Sequence, residues 1–311
     1  MSENIVYKLS EIENYKFEAI DCFVCAIHDD ERAIAGLSKI LEKGIQIKHA
    51  IVIRYDNGSH STALNDLLNG QGKEIVVETR DINSFIRLFR QEIKPHINTK
   101  IAIDISCIRI PDMFSIMKIL KLFNHCQQIQ CVYSVPYDYE YYAGEFSYKY
   151  SLGDLQNYEL IGYNGNYDSE KQDSTYIVFL GFEGALSLKV LEEAEYRRLI
   201  FVNSLPSFYQ KYKDISILNN RSSIKGKKYD SLQYVPADNP FEVYNFLERQ
   251  YSNVPAICIS PLGTKPVALG VCLFALDYEN VRVIYPISDT YSTHSTDNVA
   301  KTLVYEISLV F

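Results

Sequence analysis

Short apolar runs alternate with amphipathic stretches along most of the chain. In the front half, apolar and β-branched runs at 21–27, 49–54, 74–78, 100–105 and 128–134 predict strands. Helical spacing of apolar residues predicts helices at 33–43, 62–68, 82–91 and 112–123. The first turns Leu37, Ile40 and Leu41 inward and ends at Gly44. In the back half, strands at 175–180, 197–202, 231–235, 256–260 and 281–285 alternate with helices at 185–194, 240–251 and 267–276. Strands separated by helices of this length mean βαβ units with right-handed crossovers, and runs apolar on both faces suit a parallel sheet. The expected fold class is α/β.

The two halves repeat one pattern. Ala102-Ile103-Asp104-Ile105-Ser106 reads like Ala256-Ile257-Cys258-Ile259-Ser260, an offset of 154 (102 to 256). Ile129-Gln130-Cys131-Val132-Tyr133 matches Val281-Arg282-Val283-Ile284-Tyr285 at 152 (129 to 281), and Phe23-Val24-Cys25-Ala26 matches Ile177-Val178-Phe179-Leu180 at 154 (23 to 177). A tandem duplication follows as the expectation: two Rossmann-like parallel-sheet units related by a pseudo-two-fold axis. Residues 1–150 would form the first unit, 151–174 a linker or edge segment, and 175–311 the second unit. Stretches 145–161 and 301–311 also alternate. Each is expected as an edge strand beside the fifth core strand of its own half.

Bulk properties narrow the function. The 311 residues suffice for two ordinary cores, and 47% hydrophobic content is that of a globular chain. No apolar run approaches the ~20 residues of a membrane helix, and Met1-Ser2-Glu3-Asn4 does not start a signal peptide, so a cytoplasmic protein is expected. A net charge of −8 argues against a broad nucleic-acid surface. The basic stretch 221–228 reads as a solvated loop. Seven cysteines, mostly within apolar segments, read as reduced thiols. Cys22 and Cys25, three apart on a strand, would face opposite ways, so no metal site is expected. No cofactor is implied.

In open parallel sheets, ligands sit outside the carboxyl ends of the strands. That rule selects 28–32, 56–60 and 106–109 in the front half, and 181–184, 203–207 and 260–265 in the back half. Ser260-Pro261-Leu262-Gly263-Thr264-Lys265 has the parts of an anion site: a glycine for close backbone approach, a hydroxyl, a cation and a helix start with free N–H groups. It lacks the spelling of a P-loop and of the dinucleotide fingerprint. Its front counterpart, Ser106-Cys107-Ile108-Arg109, keeps a serine and a cation. The bland alternative is that Ser106 and Ser260 cap their helices. His28, Asp29, Asp30 and Glu31 are candidates for an acid–base cluster, with solvated helix-start acids as the alternative. Arg32 is a further anion candidate. Cys107 beside His28 is a candidate thiol–base pair, and 288–298 a polar lid or surface loop.

The tandem halves, the serine-ended strands and the Gly-Thr-Lys loop resemble the CARF-type (CRISPR-associated Rossmann-fold) sensing modules of bacterial defence systems, over residues 20–136 and 175–290. The resemblance implies a nucleotide-like anion bound across a two-fold axis near the strand ends. No nuclease or helix-turn-helix pattern follows the second half in this sequence, so it also implies a separate partner effector protein. The expected function is therefore a non-catalytic sensing or regulatory component, with Ser106, Arg109, Ser260, Gly263, Thr264, Lys265 and Arg32 lining the site. Two alternatives stay open. One is an enzyme acting on a nucleotide or sugar phosphate through His28 and the neighbouring carboxylates. The other is a structural subunit.

Overall fold

The computed structural model describes residues 8–27, 30–55, 62–70, 72–77, 81–123, 128–139, 150–165, 174–252, 256–292 and 296–309. The chain divides into two units. One holds 1–140 together with 293–311, and the other holds 141–292.

The first unit opens with a short strand β1 (Lys8–Glu11). Then come β2 (Ile20–Ile27), α1 (Arg32–Glu42), β3 (Ile47–Tyr55), α2 (Thr62–Leu68), β4 (Gly72–Val77), α3 (Ile82–Ile93), β5 (Ile101–Asp104), α4 (Ile110–Leu122) and β6 (Gln128–Tyr139). The second unit has β7 (Leu155–Glu159), β8 (Ser174–Phe179), α5 (Gly184–Glu192), β9 (Arg198–Ser204), α6 (Gln210–Asn219), α7 (Arg221–Gly226), β10 (Ser231–Val235), α8 (Pro240–Tyr251), β11 (Ala256–Pro261), α9 (Lys265–Asp277) and β12 (Arg282–Ser288). The chain then returns to the first unit as β13 (Thr296–Ser308).

Among the described residues, the sheet orders are β1-β13-β6-β5-β2-β3-β4 and β10-β9-β8-β11-β12-β7. Counted within each unit, the five parallel strands run third, second, first, fourth, fifth in both sheets. This is a Rossmann-like order, and the fold is α/β with two such units. The central strands β2, β5, β8 and β11 are buried almost throughout, because helices cover both faces. Phe23, Cys25, Leu37, Ile40, Ala50, Val52 and Val132 share one core in the first unit. Tyr176, Val178, Leu186, Val190, Phe201 and Cys258 share one in the second.

Two expectations are corrected. The edge strands do not follow their own halves. β7 pairs antiparallel with β12, from Glu159 opposite Ile284 to Leu155 opposite Ser288. β13 pairs antiparallel with β6, from Ser308 opposite Gln128 to Thr296 opposite Tyr139. The C-terminal stretch expected in the second unit thus completes the first, and the second unit is inserted in the chain between β6 and its antiparallel partner. Alternation records that one face is buried and is silent about which edge receives the strand.

The offsets also slip between strands. Val24 stands opposite Ile103, whereas Thr175 stands opposite Ile257, so β2 and β8 correspond at 151 (24 to 175) when β5 and β11 correspond at 154. Asp104 stands opposite Val132 and Cys258 opposite Arg282, an offset of 150 (132 to 282) for β6 and β12. Strands apolar on both faces carry little register information, so similar spelling does not fix which residues align.

Residues 221–226 are helical rather than loop, and Lys227 donates to the Leu191 carbonyl at 2.9 Å. No described helix is long and apolar enough to cross a membrane.

Candidate functional site

In the first unit, β2 lies between β3 and β5, and the strand order reverses there. The loops leaving the carboxyl ends of β2 and β5 therefore flank the topological switch point.

The loop after β2 carries Asp30, and Arg32 begins α1; both are buried. Arg32 Nε donates to Asp30 Oδ1 at 3.0 Å and to Oδ2 at 3.1 Å, and Nη2 donates to Oδ2 at 2.8 Å. The Arg32 backbone N–H adds a bond to Oδ1 at 3.0 Å. Thr296, the first residue of β13, donates from its hydroxyl to Asp30 Oδ2. Burial pushes the Asp30 pKa up, but the Arg32 bonds and charge outweigh it and hold the carboxyl down at about 2. Arg32 is correspondingly kept charged by Asp30 against its own burial. Arg32 is therefore a buried ion-pair partner, not an open anion contact. Glu31 occupies the N-cap position of α1 without a side-chain bond. His28 and Asp29 lie outside the described residues, as do 56–61 and 293–295, so the proposed thiol–base pair and the His60 and His294 loops do too. Among the described residues, no group of three His, Cys, Asp or Glu is arranged to hold a metal ion.

β5 ends in Asp104, which is 2% exposed. Its Oδ1 accepts the Ser106 backbone N–H at 2.9 Å, while Oδ2 has no hydrogen-bond partner among the described residues. Helix α1 crosses this oxygen at Gly36, where an added Cβ would lie 2.5 Å from Oδ2 and 2.9 Å from Val132 Cγ1. Only glycine admits that approach. Burial raises the Asp104 pKa to about 6, although the Ser106 bonds and the charge of Arg32 pull it down. The Ser106 hydroxyl accepts the Ser134 backbone N–H at 2.8 Å, which ties the loop to β6. Cys107 follows, half-buried.

Arg109 is the N-cap residue of α4. Its backbone N–H donates to the Tyr55 hydroxyl at 2.9 Å, and its guanidinium sits 4.0 Å from the Tyr55 ring centroid. Tyr55, at the end of β3, has its pKa pushed up by burial and then by the charge of Asp112. The structure thus places Arg109, expected in the loop before a helix at 112–123, half-buried at the N-cap of α4.

The second unit treats its matching loops differently. The Ser260 hydroxyl donates to the Ile284 carbonyl at 2.9 Å and lies 2.7 Å from the Tyr176 hydroxyl, fully buried. Thr264 caps α9, accepting from Val267 N–H at 3.4 Å and donating to the Ala237 carbonyl at 2.6 Å. A Cβ on Gly263 would lie 3.2 Å from Val267 Cγ1. Lys265 begins α9, half-buried. A Cβ on Gly181 would lie 2.0 Å from the Leu262 carbonyl oxygen, so the loops after β8 and β11 are in backbone contact. The Gly181 carbonyl is also taken by Ser216 at 3.1 Å and Asn220 at 2.8 Å. Glu183 accepts backbone N–H groups of Tyr150 at 2.8 Å and Ser151 at 2.7 Å, and burial raises its pKa.

Both serines are thus interior cross-strand ties. They line no open surface, and they do not cap the helices, whose N-caps are Arg109 and Thr264. The structure brings Asp30, Arg32, Asp104, Ser106 and Arg109 to one end of the first sheet, and Ser260, Gly263, Thr264 and Lys265 to the matching end of the second. Sequence reasoning missed Asp104, Tyr55 and Thr296. The available signal for Asp104 was a carboxylate inside an apolar strand.

No family model matches the chain, and no curated protein matches it. Among solved structures, it is similar to a universal stress protein from Archaeoglobus fulgidus DSM 4304, at 8% identity and a TM-score of 0.24, over 88% of this chain and 97% of that one. The α/β assignment accordingly stands on the two repeated strand orders.

Proposed function

We propose that the protein is a non-catalytic sensing or regulatory component that takes a nucleotide-like anion at the strand ends of the first unit and acts with a partner protein. The observation that carries this reading is the contrast between the two sets of strand-end loops. In the first unit, half-buried Arg109 lies on the Tyr55 ring at the N-terminus of α4, beside the switch point. A guanidinium on an aromatic face is a residue type suited to phosphate recognition, and a helix start favours negative charge. In the second unit, the matching loops close on each other at Gly181 and Leu262. Asp30 is engaged by Arg32, which removes it as a general base and favours binding over turnover. The resemblance to CRISPR-associated Rossmann-fold sensors makes cyclic oligonucleotides the first probes and anti-phage defence the fitting setting.

The test is thermal stabilisation by a panel of nucleotides and cyclic oligonucleotides, applied to wild type, Arg109→Ala and Lys265→Ala. Loss of a charge-assisted hydrogen bond costs about 1–3 kcal/mol. Arg109→Ala should therefore lower affinity by roughly 5- to 150-fold. Lys265→Ala reads whether the second unit contributes. Equal stabilisation of wild type and Arg109→Ala by every compound would refute the proposal.

A further inference from the structure

Strand β6 ends at Tyr139 before the second unit and β13 begins at Thr296 after it, and those two residues face each other across the β6–β13 ladder. All of the second unit's residues lie between them. The end of this ladder is fastened to the β2–α1 loop. Thr296 donates its hydroxyl to Asp30 Oδ2, the same oxygen that accepts Arg32 Nη2 at 2.8 Å. Tyr139 is hydrogen-bonded to Tyr133, and the Arg32 charge acts on both hydroxyls. The ladder itself is weakened nearby by a bulge between Val299 and Lys301 and by Asn298, whose φ of 51° is left-handed. The regular ladder is interrupted before this end, and the Thr296 side-chain bond adds a tie there.

We propose that Asp30 and Arg32 form a latch that holds together the two strand ends through which the second unit is inserted. A group that draws Arg32 away from Asp30 would loosen those ends without disturbing the sheet. The latch sits beside the switch point, and Asp104 of β5 also feels the Arg32 charge. Opening it would thus be a route by which events at the strand ends reach the chain crossings. The inference goes beyond the proposed ligand and stands or falls without it.

Hydrogen exchange on the full chain tests it, using Asp30→Asn and the milder Thr296→Val, which removes a single donor. The latch predicts that exchange at Asp138, Tyr139 and Asp297–Val299 accelerates at least tenfold in Asp30→Asn and several-fold in Thr296→Val. Protection at Ala102 and Ile103 of β5 and at Ile257 and Ile259 of β11 should stay at wild-type values. Unchanged exchange at 138–139 and 297–299 in both variants would overturn the latch. So would an acceleration in Thr296→Val that spreads equally to β5, because the bond would then support the whole unit rather than its crossing points.

Discussion

Replacing Asp104 by Asn should change how the first unit's stability depends on pH. Asp104 is 2% exposed, one of its oxygens lacks a partner among the described residues, and burial lifts its pKa from the ordinary 3.8 to about 6. Below pH 3.8 the carboxyl is neutral in folded and unfolded chains alike, and no penalty arises. Between 3.8 and 6 the unfolded chain ionises while the folded one holds its proton, so stability falls as pH rises. Above 6 the penalty is complete. A shift of about 2 units corresponds to ~3 kcal/mol. Asn keeps the oxygen that accepts Ser106 N–H but places an amide against Gly36 with no acceptor, a constant offset of about 1–3 kcal/mol. Asp30, held at about 2, loses its stabilisation only in stronger acid, below this window. Glu183, raised by burial, and His96, lowered by burial, contribute identically in both proteins, so they cancel in the difference. Urea unfolding of wild type and Asp104→Asn between about pH 4 and 7.5 should therefore show their stability difference moving by about 2–3 kcal/mol in favour of the variant. Loss of protection at Ala102 and Ile103 would identify the first unit's transition. A difference that stays flat across that range would refute the reasoning, because Asp104 would then ionise as freely folded as unfolded.

Gly36→Ala should destabilise the first unit by about 1–3 kcal/mol in the same urea assay, since the new methyl meets Asp104 and Val132 and α1 must shift. Truncation after Ser292 removes β13 and with it buried Leu303, Val304, Tyr305 and Ile307, each worth about 1.5–3 kcal/mol. Exchange should then show the first unit unfolded and β8, β9 and β11 still protected. Thr264→Ala loses a helix cap and the bond to Ala237, and should lower the second unit's stability by about 1–2 kcal/mol while leaving affinity for any first-unit ligand unchanged.

The central strands β2, β5, β8 and β11 were legible because each is a short apolar run buried on both faces, and such runs stand out against polar loops. Their register was not, for the same reason. α6 escaped notice because it buries only Tyr212 and Ser216 and so carries no apolar stripe. The destination of β13 was hidden because pairing with β6 depends on where the inserted unit delivers the chain. At the site, Arg109 and Thr264 were correctly placed at strand ends, but the serines before them were misjudged. Two residues separate Ser106 from the N-cap Arg109 and three separate Ser260 from the N-cap Thr264, so the cap falls to a later position while the hydroxyl turns inward. Asp104 was passed over because an unpaired carboxylate in a core strand is costly, and a cost visible only after packing leaves no periodic trace.

The central claim is that the first unit binds a nucleotide-like anion through Arg109. Native mass spectrometry of small molecules released from wild type and Arg109→Ala, purified in parallel from the native host, addresses it most directly. The account predicts a phosphate-bearing compound at close to one per chain in wild type and its loss from the variant. The same compound retained equally by both proteins would contradict it.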